Sequence, residues 1–458
     1  MRGGTQSARR RRLSPVPTSR TRTPYRGWLA SLLAIVFFAL PLRSPALELH
    51  SIEQAAADYR NGNEQLQEMF RAALLDTSKL AEYAPDGTAY VKTGDIPAEW
   101  LRDASAQSRP YLFFAKSDPD VRKLMIAIMS RMVRYVHTDP YANAYTLDYR
   151  VWEQKFELDS LAYPTALAWS YWKTTGDTSM FTSDFSTMLD DVLATMQREQ
   201  DHPRNSRYTH KELPNNGTGR PVGYTGMIWT GFRPSDDACY YNFLIPSEMF
   251  AVVALGDMAE IERDVYHNIV KAREAKALRD EVQRGIQTYG LVLVPKYGYI
   301  YAYEVDGLGH AILTDDANIP SLLSAPYIGY TSASDRYYQN TRHFLLSQDN
   351  PSFYQGQKAR GIGSYHTPDH WVWPLALIVQ GMTATSPTEK QDVLTQLLAS
   401  DPGDHLLHES FNPDNPNQFT RQDFGWPNAL FSEFVMTQFQ GVNEIPMGDT
   451  SDLEFRTE

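Results

Sequence analysis

Carboxylate side chains recur in this sequence beside tryptophan, tyrosine, arginine and histidine. Two opposed carboxyl groups among aromatic and hydrogen-bonding side chains suit glycoside hydrolysis. A protonated carboxyl donates to the departing oxygen, while an ionised one attacks the anomeric carbon or deprotonates a water that does. Six clusters offer such groups: Trp100-Leu-Arg-Asp103, Glu157-Leu-Asp159, Phe232-Arg-Pro-Ser-Asp236-Asp237, Asp315-Asp316-Ala-Asn318, His366-Thr-Pro-Asp-His370-Trp371 and His408-Glu409-Ser-Phe411.

Each cluster also has a purely structural interpretation. Arg102 and Asp103 could form a buried ion pair that supports the fold. Asp236 and Asp237 could cap a helix, since they follow a proline and a serine. The tryptophans at positions 100, 371 and 373 could simply pack in the core, where tryptophan is usually largely buried.

Metal chemistry has weaker support. His366 and His370 are four residues apart, but Pro368 between them disrupts the helix that would align both on one metal. His405 and His408 lack a clear third ligand, and the neighbouring glutamate could equally belong to a solvated loop pair. We expect neither a metal site nor a cofactor.

Nucleophilic and dinucleotide chemistry are disfavoured as well. Cys239 is the only cysteine, which excludes an intrachain disulfide and a thiolate zinc site. Its flanks are two aspartates and two tyrosines, which would raise the pKa of a thiol. The sequence has no Gly-x-Ser-x-Gly elbow, and Gly361-Ile-Gly363-Ser lacks the third glycine of a dinucleotide loop.

The composition is that of a globular protein with an acidic body. The chain has 458 residues, 42% of them hydrophobic and 21% charged, with a formal net charge of −12. Residues 1–46 contain nine arginines and no acidic residue, which leaves 34 basic and 55 acidic residues beyond them. So negative a body repels phosphate backbones, which argues against a nucleic-acid partner and favours a neutral polar ligand.

Residues 1–46 are typical of a secretory leader. A basic segment precedes the apolar run from Trp28 to Leu42, whose 15 residues fall short of the roughly 20 that a spanning helix prefers. We expect export to the secretory pathway or out of the cell. Membrane contact is expected only through an uncleaved signal anchor. The sequence indicates no oligomeric state.

Residues 47–458 are expected to form one catalytic domain. Helical periodicity dominates there; at Ser117 to Val136, for example, an aspartate cap and a first-turn proline precede apolar residues every four positions. The pattern Ser386-Pro-Thr-Glu389 predicts a capping box at a helix start. The segment from Leu291 to Tyr303 has the pattern of a short β-strand. Helices are predicted near 52–75, 117–136, 158–175, 182–197, 246–260, 264–289, 319–327, 335–347, 371–384, 386–398 and 428–439.

Eleven or twelve helices in about 400 residues fit two concentric rings, an all-α (α/α)6 barrel with a few short strands in its loops. The polar clusters lie between the predicted helices, so we expect them to meet in a pocket at one end of the rings.

At these loops the sequence strongly resembles glycoside hydrolase family 125, the metal-independent exo-acting α-1,6-mannosidases. The resemblance runs in order over most of residues 50–440. It is carried by TGDIPAEWLRDASAQSRPYL (93–112), KFELDSLAYP (155–164), TGFRPSDDACYYNFLIPSEMFA (230–251), LTDDANIPSLLSAPYIGY (313–330), GIGSYHTPDHWVWPLALIVQGMTA (361–384) and DPGDHLLHESFNPDNPNQFTRQDFGWPNALFSEF (401–434).

The resemblance implies an (α/α)6 barrel that releases terminal α-1,6-linked mannose with inversion of configuration. By position, Asp236 rather than Asp237 is the expected general acid, and Glu409 is the expected general base. Arg102 and Asp103 would hold the distal hydroxyls of the terminal sugar. Further expected contacts with an α-mannoside or glycan substrate are Trp100, Asp159, Asp316, Asn318, His366 and Trp373.

Two positions depart from the family pattern, and two other functions remain open. Glu99 and Ala104 stand where an apolar residue and a serine are expected, which bears on the hydrogen bonding of Arg102. For inversion, the two carboxyls should stand roughly 6.5 to 9.5 Å apart. The alternatives are another inverting exo-glycosidase on the same scaffold, such as an α-glucosidase, and a catalytically inactive sugar-binding protein.

Overall fold

Helices account for 48% of the residues that the structure describes. The computed structural model describes residues 47–448, 450 and 453. Within them, twelve helices have eight or more residues: His50–Asp58, Glu64–Leu80, Leu101–Ser108, Pro119–Thr138, Leu158–Thr175, Ser183–Glu199, Ile245–Asp264, Ile269–Gly285, Arg336–Leu345, Pro374–Met382, Pro387–Ala399 and Gly425–Phe439.

The helix starts follow the local chemistry of the sequence in most places. The Asp118 side chain accepts from the backbone amides of residues 120 and 121, and Pro119 occupies the first turn. Thr182 caps the helix Ser183–Glu199 in the same way. The helix after Ser386 is present, but the predicted capping box is wrong, because the Ser386 side chain makes no capping hydrogen bond.

The helices form an inner and an outer layer. Five inner helices are buried around most of their circumference: Leu101–Ser108, Leu158–Thr175, Ile245–Asp264, Pro374–Met382 and Gly425–Phe439. The last of these packs on the first, so the inner ring closes. Six outer helices bury mainly one face: Glu64–Leu80, Pro119–Thr138, Ser183–Glu199, Ile269–Gly285, Arg336–Leu345 and Pro387–Ala399.

The sixth inner position holds a run of turns instead of a helix. The helix predicted near 319–327 is wrong: residues 323–329 form turns that pack against the inner helices. The Asp315 carboxylate accepts from the backbone amides of Leu322 and Leu323 at the start of this segment, at 2.9 and 3.0 Å. Within it, amide-to-carbonyl bonds such as Ile328 to Ser324 and Gly329 to Pro326 differ in spacing, so no regular helical ladder forms.

Short antiparallel strands lie in the loops between helices. The strand predicted over residues 291–303 is present as two paired strands, Leu291–Val294 and Gly298–Tyr301. The other strands are Ala81–Tyr83, Ala89–Val91, Glu99–Trp100, Ala144–Tyr145, Val151–Glu153, Phe243–Leu244, Glu304–Val305, Ala311–Ile312, Phe353–Gln355, Arg360–Ile362, Ser410–Asn412 and Asn415–Thr420. The helix predicted near 52–75 is divided into two, and the helix Leu101–Ser108 lies inside a predicted loop.

One large apolar core joins the two helix layers. The contacts group Ser44–Glu458 into one unit. None of the helices in the described part of the chain is both long and apolar enough to cross a membrane. The leader predicted over residues 1–46 lies outside the described residues.

Candidate active site

A cavity of about 370 Å³ opens where the inter-helical loops meet. This lies toward the small end of the range of roughly 300–1,000 Å³ typical of ligand pockets. Eight of the ten predicted site residues line it: Trp100, Arg102, Asp103, Asp236, Asn318, His366, Trp373 and Glu409. Segments more than 300 residues apart in the chain thus contribute to one surface.

Asp236 stands on a tight turn that projects its side chain into the cavity. Its backbone has φ 65°, a left-handed conformation that aspartate tolerates better than most residues. The turn is closed by hydrogen bonds between Arg233 and Asp236 and between Arg233 and Asp237. Nε of Arg233 donates to Glu304 at 2.6 Å, which ties the turn to a strand.

The surroundings of Asp236 are polar. Its Oδ1 accepts from the Asn143 amide at 3.1 Å and lies 3.5 Å from a guanidinium nitrogen of Arg102. The same Asn143 amide lies 3.2 Å from the Glu157 carboxyl, so the two carboxyls are neighbours. Burial would raise the pKa of Asp236, but the Arg102 guanidinium holds it below its ordinary value. The neighbours that tune this carboxyl therefore come from distant segments.

Arg102 is the centre of a buried acidic cluster. One terminal nitrogen donates to Glu157 at 2.6 Å and to Asp159 at 3.4 Å. Its Nε lies 3.3 Å from Asp103. Four carboxyl groups thus surround one guanidinium, because Asp236 is the fourth. Such a cluster is costly to bury unless it carries protons as well as the single positive charge.

Trp100, Arg102 and Asp103 form one end of the cavity. Oδ2 of Asp103 is buried within ion-pair distance of Arg102, and the indole nitrogen of Trp100 is buried as well. Burial raises the pKa of Asp103 to about 6. This end of the cavity therefore combines a charged and an aromatic side chain with a carboxyl group, a lining suited to a polar ligand such as a sugar.

Glu409 enters the same cavity from the segment before the strand Ser410–Asn412. Burial raises the pKa of the Glu409 carboxyl. The positive charges of Arg421 and His366 and a hydrogen bond with Thr420 oppose this rise. The neighbouring His408 ring turns away: it stacks on Phe419 at 3.7 Å. His408 therefore has no direct part in the cavity.

The segment with His366 and Trp373 forms another wall. Backbone hydrogen bonds between Val372 and Phe411, at 3.0 and 2.9 Å, join it to the Glu409 segment. The Trp373 indole donates to Thr367 at 2.8 Å, which fixes the ring against the cavity. These contacts explain why residues 36 and 43 positions from Glu409 share its surface.

The other two predicted site residues lie behind the cavity wall. Asp159 is fully buried and accepts from Arg102 and, at 3.2 Å, from Ser247. Asp316 accepts from the backbone and side-chain amides of Asn318 and from Ser364 at 2.8 Å. Neither residue lines the cavity. They hold residues that do.

Several contributors were missed by sequence reasoning. Glu157 was noticed only as a member of a polar cluster, although it belongs to the family-like segment 155–164. Asn143 carried no signal, because it is a single amide residue between the helix Pro119–Thr138 and the strand Ala144–Tyr145. The cavity is also lined by Thr420, Arg421 and Phe424. They lie in the family-like segment 401–434, in which only Glu409 was a predicted site residue.

The departure at Glu99 does not disturb Arg102. Glu99 is fully buried and accepts from Arg131 at 3.2 Å and from the Tyr135 hydroxyl at 2.7 Å. Burial raises the pKa of Glu99 to about 8. This cluster is separate from Arg102, whose terminal nitrogen still donates to Glu157 and Asp159.

No group of three His, Cys, Asp or Glu side chains within the described residues is arranged to hold a metal ion. The chemically competent groups are therefore carboxyls, an imidazole and a guanidinium around a sugar-sized cavity. A closed double ring of helices with such a site at its loop end is the arrangement of a glycoside hydrolase. Comparisons with known proteins identify the family.

The chain belongs to the family of metal-independent α-mannosidases, GH125, whose model matches residues 63–150 and 147–436. It is similar to the meiotically up-regulated gene 157 protein of Schizosaccharomyces pombe, with 34% identity over 450 residues, 87% of this chain and 88% of the relative. A Streptococcus pneumoniae metal-independent α-mannosidase, solved as a non-productive complex with α-1,6-mannobiose, is 42% identical with a TM-score of 0.81. That match covers 85% of this chain and 96% of the other.

More distant structures share only the fold. A bacterial glucoamylase in complex with acarbose is 12% identical with a TM-score of 0.60, over 86% of this chain and 58% of the other. The predicted (α/α)6 architecture and the predicted family are thus both confirmed.

Proposed function

We propose that this protein is an exo-acting, inverting α-mannosidase that removes terminal α-1,6-linked mannose, with Asp236 as general acid and Glu409 as general base. The observation that carries the proposal is the presence of both carboxyl groups in one small cavity whose other walls supply hydroxyl-binding groups. The α-1,6 linkage is supported by the mannobiose bound in the S. pneumoniae relative.

In the proposed reaction the terminal mannose occupies the end of the cavity formed by Trp100, Arg102 and Asp103. These residues are at most 6% exposed, so this end of the cavity admits one chain terminus. Arg102 and Asp103, which line this end, supply the polar contacts for the distal hydroxyls of the sugar. This arrangement accounts for exo action, because a sugar in mid-chain would have to continue through the buried end.

The bond-breaking step uses the two carboxyls in opposite roles. Asp236 gives a proton to the glycosidic oxygen as the bond from that oxygen to the anomeric carbon breaks. Glu409 takes a proton from a water whose oxygen forms the new bond on the opposite face of the sugar. Direct attack by water inverts the configuration, so the first product is β-mannose.

The decisive experiment is incubation of the purified protein with α-1,6-mannobiose, followed at once by proton NMR. We expect the β-anomer of mannose to appear first and the α-anomer to follow by mutarotation. A parallel panel of α-1,2-, α-1,3- and α-1,6-mannobiose and isomaltose tests linkage and sugar. Release of α-mannose first, or preference for the glucoside, would contradict the proposal.

We also propose that residues 1–46 direct the protein into the secretory pathway. The support is the arginine-rich segment followed by 15 apolar residues. Fusion of residues 1–46 to a reporter enzyme, with a control in which two leucines of the apolar run become arginine, tests this. Export of both fusions alike would contradict it, and N-terminal sequencing of the exported protein distinguishes a cleaved leader from an anchor.

A further inference from the structure

A second carboxyl group stands directly behind the proposed acid, and the reaction as described does not use it. The Glu157 side chain is completely buried, whereas that of Asp236 is 22% exposed toward the cavity. The two carboxyls lie against the same Asn143 amide and the same Arg102 guanidinium. Two ionised carboxylates placed so close together repel each other, so the arrangement favours one proton on the pair.

A single amide clamps the two carboxyl groups together. Nδ2 of Asn143 lies 3.1 Å from Oδ1 of Asp236 and 3.2 Å from Oε1 of Glu157. Oε2 of Glu157 accepts from Arg102 at 2.6 Å and from the Ser160 hydroxyl at 2.9 Å. Every oxygen named here is thus held by a neutral or positive donor, and the geometry of the pair is set before a ligand arrives.

The charges that face the pair favour one shared proton. Arg102 contacts both members, and Asp103 and Asp159 contact the same guanidinium. Lys155 and His366 add positive charge near Asp236. With all four carboxyls ionised, the cluster around Arg102 would be strongly negative and buried, which a proton on the pair relieves.

Glu157 is the member of the pair whose surroundings favour the protonated form. Its side chain is completely buried, whereas that of Asp236 is 22% exposed. Burial raises the pKa of Glu157 well above its ordinary range, whereas Arg102 lowers the pKa of Asp236. Burial also raises the pKa of the nearby Cys239 thiol and Tyr208 hydroxyl, so both stay neutral.

We propose that Glu157 stores the proton that Asp236 gives to the glycosidic oxygen, so that the acid of this site is a pair of carboxyl groups holding one proton. The inference rests on the proposed function. A sugar bound over Asp236 would remove its remaining water, which disfavours its ionised form. Glu157 would keep Arg102 and Ser160 as partners for a negative charge, so the shared proton moves to Asp236.

The proton balance of one turnover then closes. The O–H bond of Glu157 breaks as an O–H bond forms on Asp236. Asp236 then gives this proton to the leaving glycosidic oxygen as the bond between that oxygen and the anomeric carbon breaks. The nucleophilic water gives one proton to Glu409. Glu409 later releases that proton to solvent, and the carboxyl pair takes one up. Glu157 acts through Asp236, so it is a positioning residue for the proton.

The test compares two substrates that differ in their need for an acid. α-1,6-Mannobiose has a poor leaving group that must be protonated, whereas α-mannosyl fluoride departs with little help. In Glu157→Gln the amide donates permanently to Asp236 and stores no transferable proton. We expect kcat/KM for mannobiose to fall about a hundredfold or more, while that for the fluoride stays within about threefold.

The pH profile provides a readout that a merely structural role would not move. In the wild-type enzyme the basic limb for mannobiose reflects loss of the last proton from the pair. In Glu157→Gln only Asp236 can hold that proton, so the basic limb should move to lower pH. The matched control is Asp159→Asn, which removes another carboxyl from Arg102. It should affect the two substrates alike and move the basic limb less than Glu157→Gln does, because Asp159 acts on the pair only through its charge.

The outcomes are separable. Equal loss on both substrates with an unmoved basic limb would mean that Glu157 only supports Arg102, and would overturn the inference while the proposed function stands. A wild-type enzyme that cleaves neither substrate would overturn the proposed function and the inference with it. If Glu157→Gln fails to fold, as judged by circular dichroism, Glu157→Asp is used instead. The aspartate side chain is one methylene shorter, so its carboxyl lies farther from Asp236. The inference again requires that kcat/KM falls for mannobiose and not for the fluoride.

Discussion

Nδ1 of His366 lies 3.6 Å from Oδ1 of Asp237 in the cavity wall, and both side chains are more than one-third exposed. The ion pair with Asp237 outweighs partial burial and raises the pKa of His366 to about 9. The imidazole is therefore positively charged at neutral pH. It faces Glu409 and Asp236, so its charge acts on both proposed reacting groups.

Loss of this charge should change the acid side of the pH profile. His366 lowers the pKa of Glu409, which burial otherwise raises. In His366→Gln we therefore expect the acid limb of kcat/KM for mannobiose to move to higher pH, with a severalfold loss of activity near pH 5. The measurement is a profile from pH 4 to 9, with His370→Gln as control because His370 is exposed and pairs only with its neighbour Asp369. An unmoved acid limb would show that His366 does not act on Glu409.

The same ion pair should contribute to stability with a defined pH dependence. The pKa of His366 is about 9 when folded and about 6.5 when unfolded. A raised folded pKa stabilises fully below about pH 6.5, and the contribution is lost as pH rises through 9. The melting temperature of the wild type should thus fall more between pH 6.5 and 9.5 than that of His366→Gln. Parallel curves for the two proteins would contradict this assignment.

The proposed acid and base should be separable from their neighbours by mutation. Asp236→Asn or Glu409→Gln should lower kcat for mannobiose by roughly a hundredfold to ten-thousandfold while the fold survives. Asp237→Asn provides the matched control, since Asp237 is adjacent in the chain but pairs with His366. Its effect should be no more than about tenfold. If Asp237→Asn is the more damaging of the two aspartate variants, the acid has been assigned to the wrong residue.

Arg102 should matter for stability as well as for binding. Arg102→Met leaves Asp103, Glu157 and Asp159 buried without their positive partner, which typically costs about 3–5 kcal/mol. The free energy of unfolding, measured by urea titration, should drop by this order at pH 7. Part of the lost stability should be regained near pH 5, because the buried carboxyls are then protonated. Carboxyls whose folded pKa is raised stabilise the fold at low pH, and that contribution is lost as pH rises through the folded pKa. A pH-independent loss would argue against the acidic cluster as its cause.

Metal removal should leave the enzyme unaffected. The family is described as metal-independent, and the proposed chemistry needs only side chains of the cavity. Exhaustive dialysis against a chelator should change kcat for mannobiose by less than about 20%. Activity that is lost on dialysis and returns only with a divalent cation would overturn the two-carboxylate mechanism.

Much of the fold could be predicted because its helices carry local signals. Asp118, Pro119 and Thr182 mark helix starts by chemistry that acts within one turn. The errors arose where distant contacts override such signals. A helix was predicted near 319–327, but this segment forms turns, and its first amides bond to the Asp315 carboxylate. Conversely, Leu101–Ser108 was predicted to be a loop, yet it is an inner helix because the surrounding layer buries it.

The sequence by itself determined the two-layer helical architecture, the family and the segments that carry the reacting groups, because periodicity and motifs are properties of neighbouring residues. Only the tertiary structure decided which groups meet. It turns Asp236 toward Glu157 and Asn143, leaves Asp237 to His366, and places Asp159 behind Arg102. These partnerships join loops from different helices, and spacing along a chain carries no information about distances between loops.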